Sequence, residues 1–128
     1  MHRSRLCSIV IDCEVDDLAA ATRFWSGAFG KPIANVDQDG DGKYAELATA
    51  EDEAKILIQK VAHASRVHLD IETDDVEAEA RRLEALGATR VEFVQSRWWV
   101  MQAPTGQRFC VVPRQREEFG PHPNTWPG

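Results

Sequence analysis

Residues 10–18, VIDCEVDDL, align without a gap on residues 68–76, HLDIETDDV. Asp12 matches Asp70, Glu14 matches Glu72, Asp16 matches Asp74 and Asp17 matches Asp75, while Ile11/Leu69 and Leu18/Val76 are conservative pairs. Self-similarity at a fixed period identifies a repeated supersecondary unit, and here it restricts the fold to architectures with two related halves. Each segment runs from an apolar strand into acidic residues suited to a helix start, because their carboxylates accept free N–H groups of the first turn and complement its dipole. After the first segment Leu18, Ala21, Trp25 and Phe29 recur at helical spacing and Gly30 provides a stop. After the second, Val76, Ala80 and Leu83 do the same before Gly87.

Beyond each helix the pattern turns extended. In the first half the expected strands are Pro32–Asp37, Lys43–Thr49 and Ala54–Val61; in the second they are Ala88–Val94, Arg97–Gln102 and Arg108–Val112, with APTG as the last turn. The order is βαβββ, twice. The stretch DQDGDGKYAEL, residues 37–47, imitates the start of a calcium loop, with Asp37, Asp39, Asp41 and Gly42 at the matching positions. Its twelfth position is Ala48, where a closing Glu would stand, and Pro32 precludes a regular preceding helix. Two Asp-Gly dipeptides between apolar runs are expected instead to turn a hairpin joining the second and third strands.

A chain of 128 residues has room for one core-building domain, here unit one at about 5–62, unit two at about 65–113 and a strap at 114–128. A net charge of −6 disfavours a nucleic-acid partner, which needs a concentrated basic face. The early apolar run Cys7–Ile11 is too short for a signal core or a membrane span, so no membrane association and a cytoplasmic location are expected. Cys7, Cys13 and Cys110 lack zinc or redox spacings and read as packed thiols. The tail PRQREEFGPHPNTWPG carries Phe119 and Trp126 as anchors for a strap across a sheet or a second subunit.

Three stretches, DDLAAATRFWSGAFG, HLDIETDD and APTGQRFCVV, give the chain a resemblance to the vicinal oxygen chelate superfamily over about residues 5–113, and within it to small glyoxalase-like and bleomycin-resistance-like proteins. The helix bearing Phe24, Trp25 and Gly30 resembles the family's first helix, and Pro104–Gly106 its final hairpin, with Ala103 in place of the usual acid. The resemblance implies an α+β fold of two tandem βαβββ units forming concave mixed β-sheets with helices outside. It also implies a divalent metal on the first and last strands of both units, typically through histidines and glutamates. His68 matches such a ligand; Val10 stands at the first-unit counterpart, Cys110 at the second-unit last strand, and Leu57 or Gln59 at the first-unit last strand. No cofactor and no metal are therefore expected, an atypical divalent site remaining the alternative.

The expected ligand-binding residues are His68, Gln59, Trp98, Trp99, Arg108 and Cys110. Strand alternation turns one of Trp98 and Trp99 inward as a flat wall and puts Arg108 on the side of Cys110, where it can meet an anionic group. His68 is either a cavity donor, acceptor or base, or a histidine hydrogen-bonded within a strand pair. Three functions fit these residues. The first is a small-molecule-binding protein of homodimeric form, holding an organic ligand without the family's usual metal. The second is a lyase, isomerase or dioxygenase-type enzyme using an atypical metal or acid/base chemistry. The third is a non-catalytic interaction subunit whose cavity is filled by Trp98, Trp99, Met101 and Phe93.

Overall fold

A computed structural model describes residues 1–36, 42–116, 119 and 121–127. The elements follow as β1 (His2–Cys13), α1 (Leu18–Phe29), β2 (Ile33–Val36), β3 (Tyr44–Leu47), β4 (Lys55–Lys60), β5 (Arg66–Thr73), α2 (Val76–Ala85), β6 (Thr89–Val94), β7 (Trp98–Gln102), β8 (Arg108–Pro113) and β9 (Asn124–Trp126). The duplicated βαβββ order is therefore present, with β9 added. Two compact units result: Ser8–Val67, and Met1–Cys7 together with His68–Gly128. The division falls inside β1 rather than ahead of it, so the first residues of that strand build the second unit.

In the unit Ser8–Val67, β1 and β4 run parallel from Ser8↔Lys55 to Cys13↔Lys60, and β3 and then β2 add antiparallel. A parallel pair needs a long crossover, and α1, β2 and β3 provide it. Asp17 is extended and its side chain accepts from Ala20 N at 3.2 Å, starting α1. Gly30 ends it at φ 66°, a left-handed conformation that glycine adopts without a Cβ penalty. The apolar side of α1, through Leu18, Ala21 and Trp25, packs on Ile11, Leu47 and Ile58. Residues 37–41 of the acidic stretch, and with them the calcium-loop question, lie outside the described residues. The flanking strands β2 and β3 pair antiparallel with Val36 opposite Ala45, as a hairpin requires.

In the second unit β5 and β8 repeat the parallel pair, from Leu69↔Phe109 to Thr73↔Pro113, and β7 and β6 continue it antiparallel. Asp75 caps α2 by accepting from Ala78 N at 3.0 Å, as its repeat partner Asp17 caps α1. Ala80 and Leu83 then pack on Met101 and Val111. The β6–β7 turn places Gln95 and Ser96 at φ 52° and 54°, with Arg97 N donating to Val94 O at 3.0 Å. Two consecutive left-handed residues make the turn whose twist matches a hairpin, and it sets Trp98 opposite Val94.

The tail straps this same unit. β9 pairs antiparallel with β1 from His2↔Trp126 to Ser4↔Asn124. Trp126 Nε1 donates to Ser4 Oγ at 2.8 Å, and the Arg82 guanidinium lies 3.9 Å from the Trp126 ring centroid. Beneath them Glu79, wholly buried, takes two hydrogen bonds from Arg82 at 2.8 and 2.7 Å and one from His2 Nε2 at 2.8 Å. Arg5 and Glu72 form a second buried pair at 3.2 Å, with Arg5 donating to Pro121 O and Gln115 N donating to Glu72. Phe119 sits under Arg3 at 4.9 Å. Both aromatic anchors expected in the tail thus engage their own chain.

Cys7 and Cys13 are buried thiols on β1, and burial pushes the Cys13 thiol up from its ordinary pKa. Cys110 is half-buried. A thiol-specific reagent is therefore expected to modify one thiol per native chain and three after denaturation; three fast-reacting native thiols would contradict the packing of β1. Burial pushes the Glu79 carboxyl up, but the hydrogen bonds from Arg82, His2 and Ser4 outweigh it and hold its pKa below the ordinary carboxylate value. A depressed folded-state pKa gives stability that is complete above the unfolded Glu pKa of about 4.3 and is lost as pH falls through the lower folded value. Glu79→Ala is expected to cost about 3 kcal/mol, because it leaves the buried His2 and Arg82 donors without their acceptor. Thermal melts at neutral pH and below pH 4 check both statements: the deficit of the variant should shrink in acid.

Candidate functional site

Strand pairing in the second unit sorts its residues into two faces. Ile71, Val111 and Trp99 form one row and Leu69, Phe109 and Met101 another, and these rows turn toward α2. Asp70, Cys110 and Val100 form the row between them, on the opposite face. Alternation puts His68, Arg108 and Gln102 on that same face one step along the strands, and Trp98, Val112 and Glu72 on it one step the other way. Aliphatic packing occupies one side of the sheet, and the polar and nucleophilic residues collect on the other.

At the centre of that face His68, Asp70 and Cys110 each offer a donor atom within 4.8 Å of the others. His68 Nε2 is 3.5 Å from Asp70 Oδ1, and both side chains are about 85% buried, with exposures of 16% and 15%. Among the described residues Asp70 Oδ1, like Glu72 Oε2, takes no hydrogen bond. Arg108 Nε donates to Gln102 Oε1 at 3.1 Å, which ties the solvent-exposed guanidinium to the neighbouring strand. The face thus offers an imidazole, a carboxylate, a thiol, a guanidinium, an amide and an indole edge within three adjacent strands.

Of the expected binding residues, the structure brings His68, Cys110, Arg108 and Trp98 onto this one face. Trp99 lies on the other side, 4.9 Å from Phe93 between ring centroids and beneath the Arg90 guanidinium, packed against the α2 core. Met101 is fully buried in that same core. Three of the four side chains expected as cavity filling are thereby placed away from the polar face. Gln59 belongs to the other unit, in the row Tyr44–Gln59–Asp12. Asp12 there is almost wholly buried, with Arg66 Nε 3.7 Å from its carboxylate. Gln102 and the grouping of Asp70 with Cys110 are not evident from spacing alone; the register of β5, β8 and β7 is what assembles them.

The same register settles the first-unit metal position. Asp70 pairs with Cys110 and its repeat partner Asp12 pairs with Gln59, so Gln59, not Leu57, is the counterpart of Cys110. The four positions at which the resemblance implies a divalent centre are then Val10, Gln59, His68 and Cys110. An alkyl group, an amide, an imidazole and a thiol do not make the hard, carboxylate-bearing set that such an ion takes, and the residues present do not fit it.

A separate hollow of about 500 Å³ lies in the first unit at the start of α1, bordered by Asp16, Leu18, Thr22, Ile33, Val36 and Lys60. Two of its polar groups serve the fold: Asp17 caps α1 and Lys60 Nζ donates to Asp16 O at 3.1 Å. The convergence of ungated chemical groups is on the second-unit face.

Comparison with known proteins accords with this architecture. A methylmalonyl-CoA epimerase in complex with methylmalonyl-CoA and NH4+ superposes with a TM-score of 0.62 at 17% identity, over 91% of this chain and 98% of that one. The methylmalonyl-CoA epimerase from Mycobacterium tuberculosis gives 0.58 at 17% identity, over 88% and 89%. A glyoxalase/bleomycin resistance protein/dioxygenase superfamily member from Vibrio splendidus 12B01 gives 0.56 at 14% identity, over 87% and 99%. These identities speak to the fold alone, and no curated protein matches the chain. The model of the glyoxalase-like domain matches residues 8–112, spanning both repeats and both parallel strand pairs, and the chain belongs to that family.

Proposed function

We propose that this protein binds a small organic molecule carrying an anionic group against the β5–β8–β7 face of its second unit. The observation that carries the reading is the alignment of Trp98, Gln102, Arg108 and His68 on the face opposite α2. An indole supplies flat apolar surface, while a guanidinium, an amide and an imidazole supply convergent polar groups, the combination that small-molecule sites use. Binding of this kind needs neither the four-ligand metal centre of metal-dependent relatives nor any nucleic acid, which the net charge of −6 disfavours. That one structural neighbour holds methylmalonyl-CoA makes carboxylate-bearing thioesters one natural class to offer. We place the protein in the cytoplasm as a homodimer, with its three cysteines kept as thiols there.

The test is a thermal-shift and tryptophan-fluorescence screen with aromatic carboxylates and acyl-CoA thioesters, followed by affinities for the best binder. Trp98→Ala and Arg108→Ala are each expected to weaken binding about tenfold or more, equivalent to roughly 1.4 kcal/mol. Trp99→Phe is expected to leave affinity unchanged. Wild-type affinity in both Trp98→Ala and Arg108→Ala would remove the face from consideration.

A further inference from the structure

The poor match to the family's metal positions hides a different donor set. We infer that His68, Asp70 and Cys110 form a zinc site confined to the second unit. These three do not reproduce the implied four-position centre: Asp70 is at none of its positions, and all three donors come from one parallel strand pair. The inference shares His68 with the proposed organic-ligand face, and zinc binding is measured with no organic ligand present, so either reading can fail without the other.

Geometry is the first support. Bonds of about 2.0–2.3 Å to tetrahedral zinc separate neighbouring donor atoms by about 3.3–3.8 Å. His68 Nε2 and Asp70 Oδ1 are already 3.5 Å apart, and one ligand atom from each of His68, Asp70 and Cys110 lies within 4.8 Å of the other two. The strand register holds the Cα positions of Asp70 and Cys110 opposite one another.

Chemistry is the second. A buried carboxylate oxygen that takes no hydrogen bond is costly, and among the described residues Asp70 Oδ1 is such an atom, with His68 Nε2 beside it at 3.5 Å. The Cys110 thiol, a soft donor, stands opposite Asp70 in the strand register. One dication answers both: it binds the carboxylate, takes the sulfur as thiolate and releases its proton to solvent. Thiolate, imidazole and carboxylate together select zinc over magnesium, calcium or manganese. Three protein donors leave a fourth position open, the arrangement of a zinc that binds water or an exogenous ligand rather than one that only braces the fold. Arg108, hydrogen-bonded to Gln102, is the nearby cation, and its exposure lets solvent screen its repulsion.

The experiment uses the whole chain, stripped of metal with a chelator and kept reduced. Zinc affinity is measured by competition with a chromophoric chelator, and cobalt(II) serves as a spectroscopic probe. We expect one equivalent of zinc, with a thiolate-to-cobalt charge-transfer band in the near ultraviolet. Cys110→Ser abolishes that band, and His68→Ala and Asp70→Asn each raise the zinc Kd by at least about tenfold. Circular dichroism of the metal-free variants verifies that they are folded; if Cys110→Ser unfolds, the Asp70→Asn comparison decides. No zinc binding by the wild type, a charge-transfer band that survives Cys110→Ser, or wild-type affinity in Asp70→Asn overturns the inference.

Discussion

Parallel pairing between the first and last strand of each unit is the constraint on which the remaining structure depends. Parallel neighbours cannot be joined by a tight turn, so β1 to β4 and β5 to β8 each enclose a helix and a hairpin in their connection. The helix must then pack on one side of its sheet, and it takes the aliphatic residues of every strand with it: Ile11, Leu47 and Ile58 under α1, and Ala80 and Leu83 of α2 on Met101 and Val111. The alternate residues are left to the opposite face. In the second unit these are His68, Asp70, Arg108, Cys110, Trp98 and Gln102, so the location of the chemistry follows from the location of the helix.

Buried charge plays a separate role, at the tail. Glu79 and Glu72 are fully buried, and each is held by a basic residue and by strand β1 or the tail itself. Burying a carboxylate is unfavourable unless its oxygens are met by donors, and here those donors belong to segments far apart in sequence. The network therefore specifies which segment occupies the edge of β1, and it spares that edge from open pairing. The polar face at Asp70 differs in its company, because the carboxylate there stands beside an imidazole and a thiol rather than a guanidinium.

The repeat of DCEVDDL in DIETDDV carried much of the fold, since Asp17 and Asp75 do cap the two helices and the strands fall within a few residues of their expected limits. Apolar periodicity also located the helix faces. What it could not provide was register: whether Trp98 or Trp99 faces the polar side, and whether Leu57 or Gln59 answers to Cys110, depend on pairing across strands. A shift of one residue exchanges the two faces completely. The left-handed turn at Gln95–Ser96, which fixes that register at β7, has no Asn-Gly or Gly to announce it. Nor does linear order reveal that the first residues of β1 are built into the second unit, or that Asp70 stands beside Cys110.

The central claim is that function resides on the face of β5, β8 and β7 opposite α2. The most direct measurement is the indole region of a 1H–15N spectrum during titration with a bound organic ligand, since the chain has four tryptophans in distinct settings. The account predicts that the Trp98 resonance shifts while Trp99, packed against the α2 core, and Trp25, packed from α1 onto the first-unit core, stay in place. Movement of Trp25 with Trp98 unchanged would put the ligand beside α1 and contradict the account.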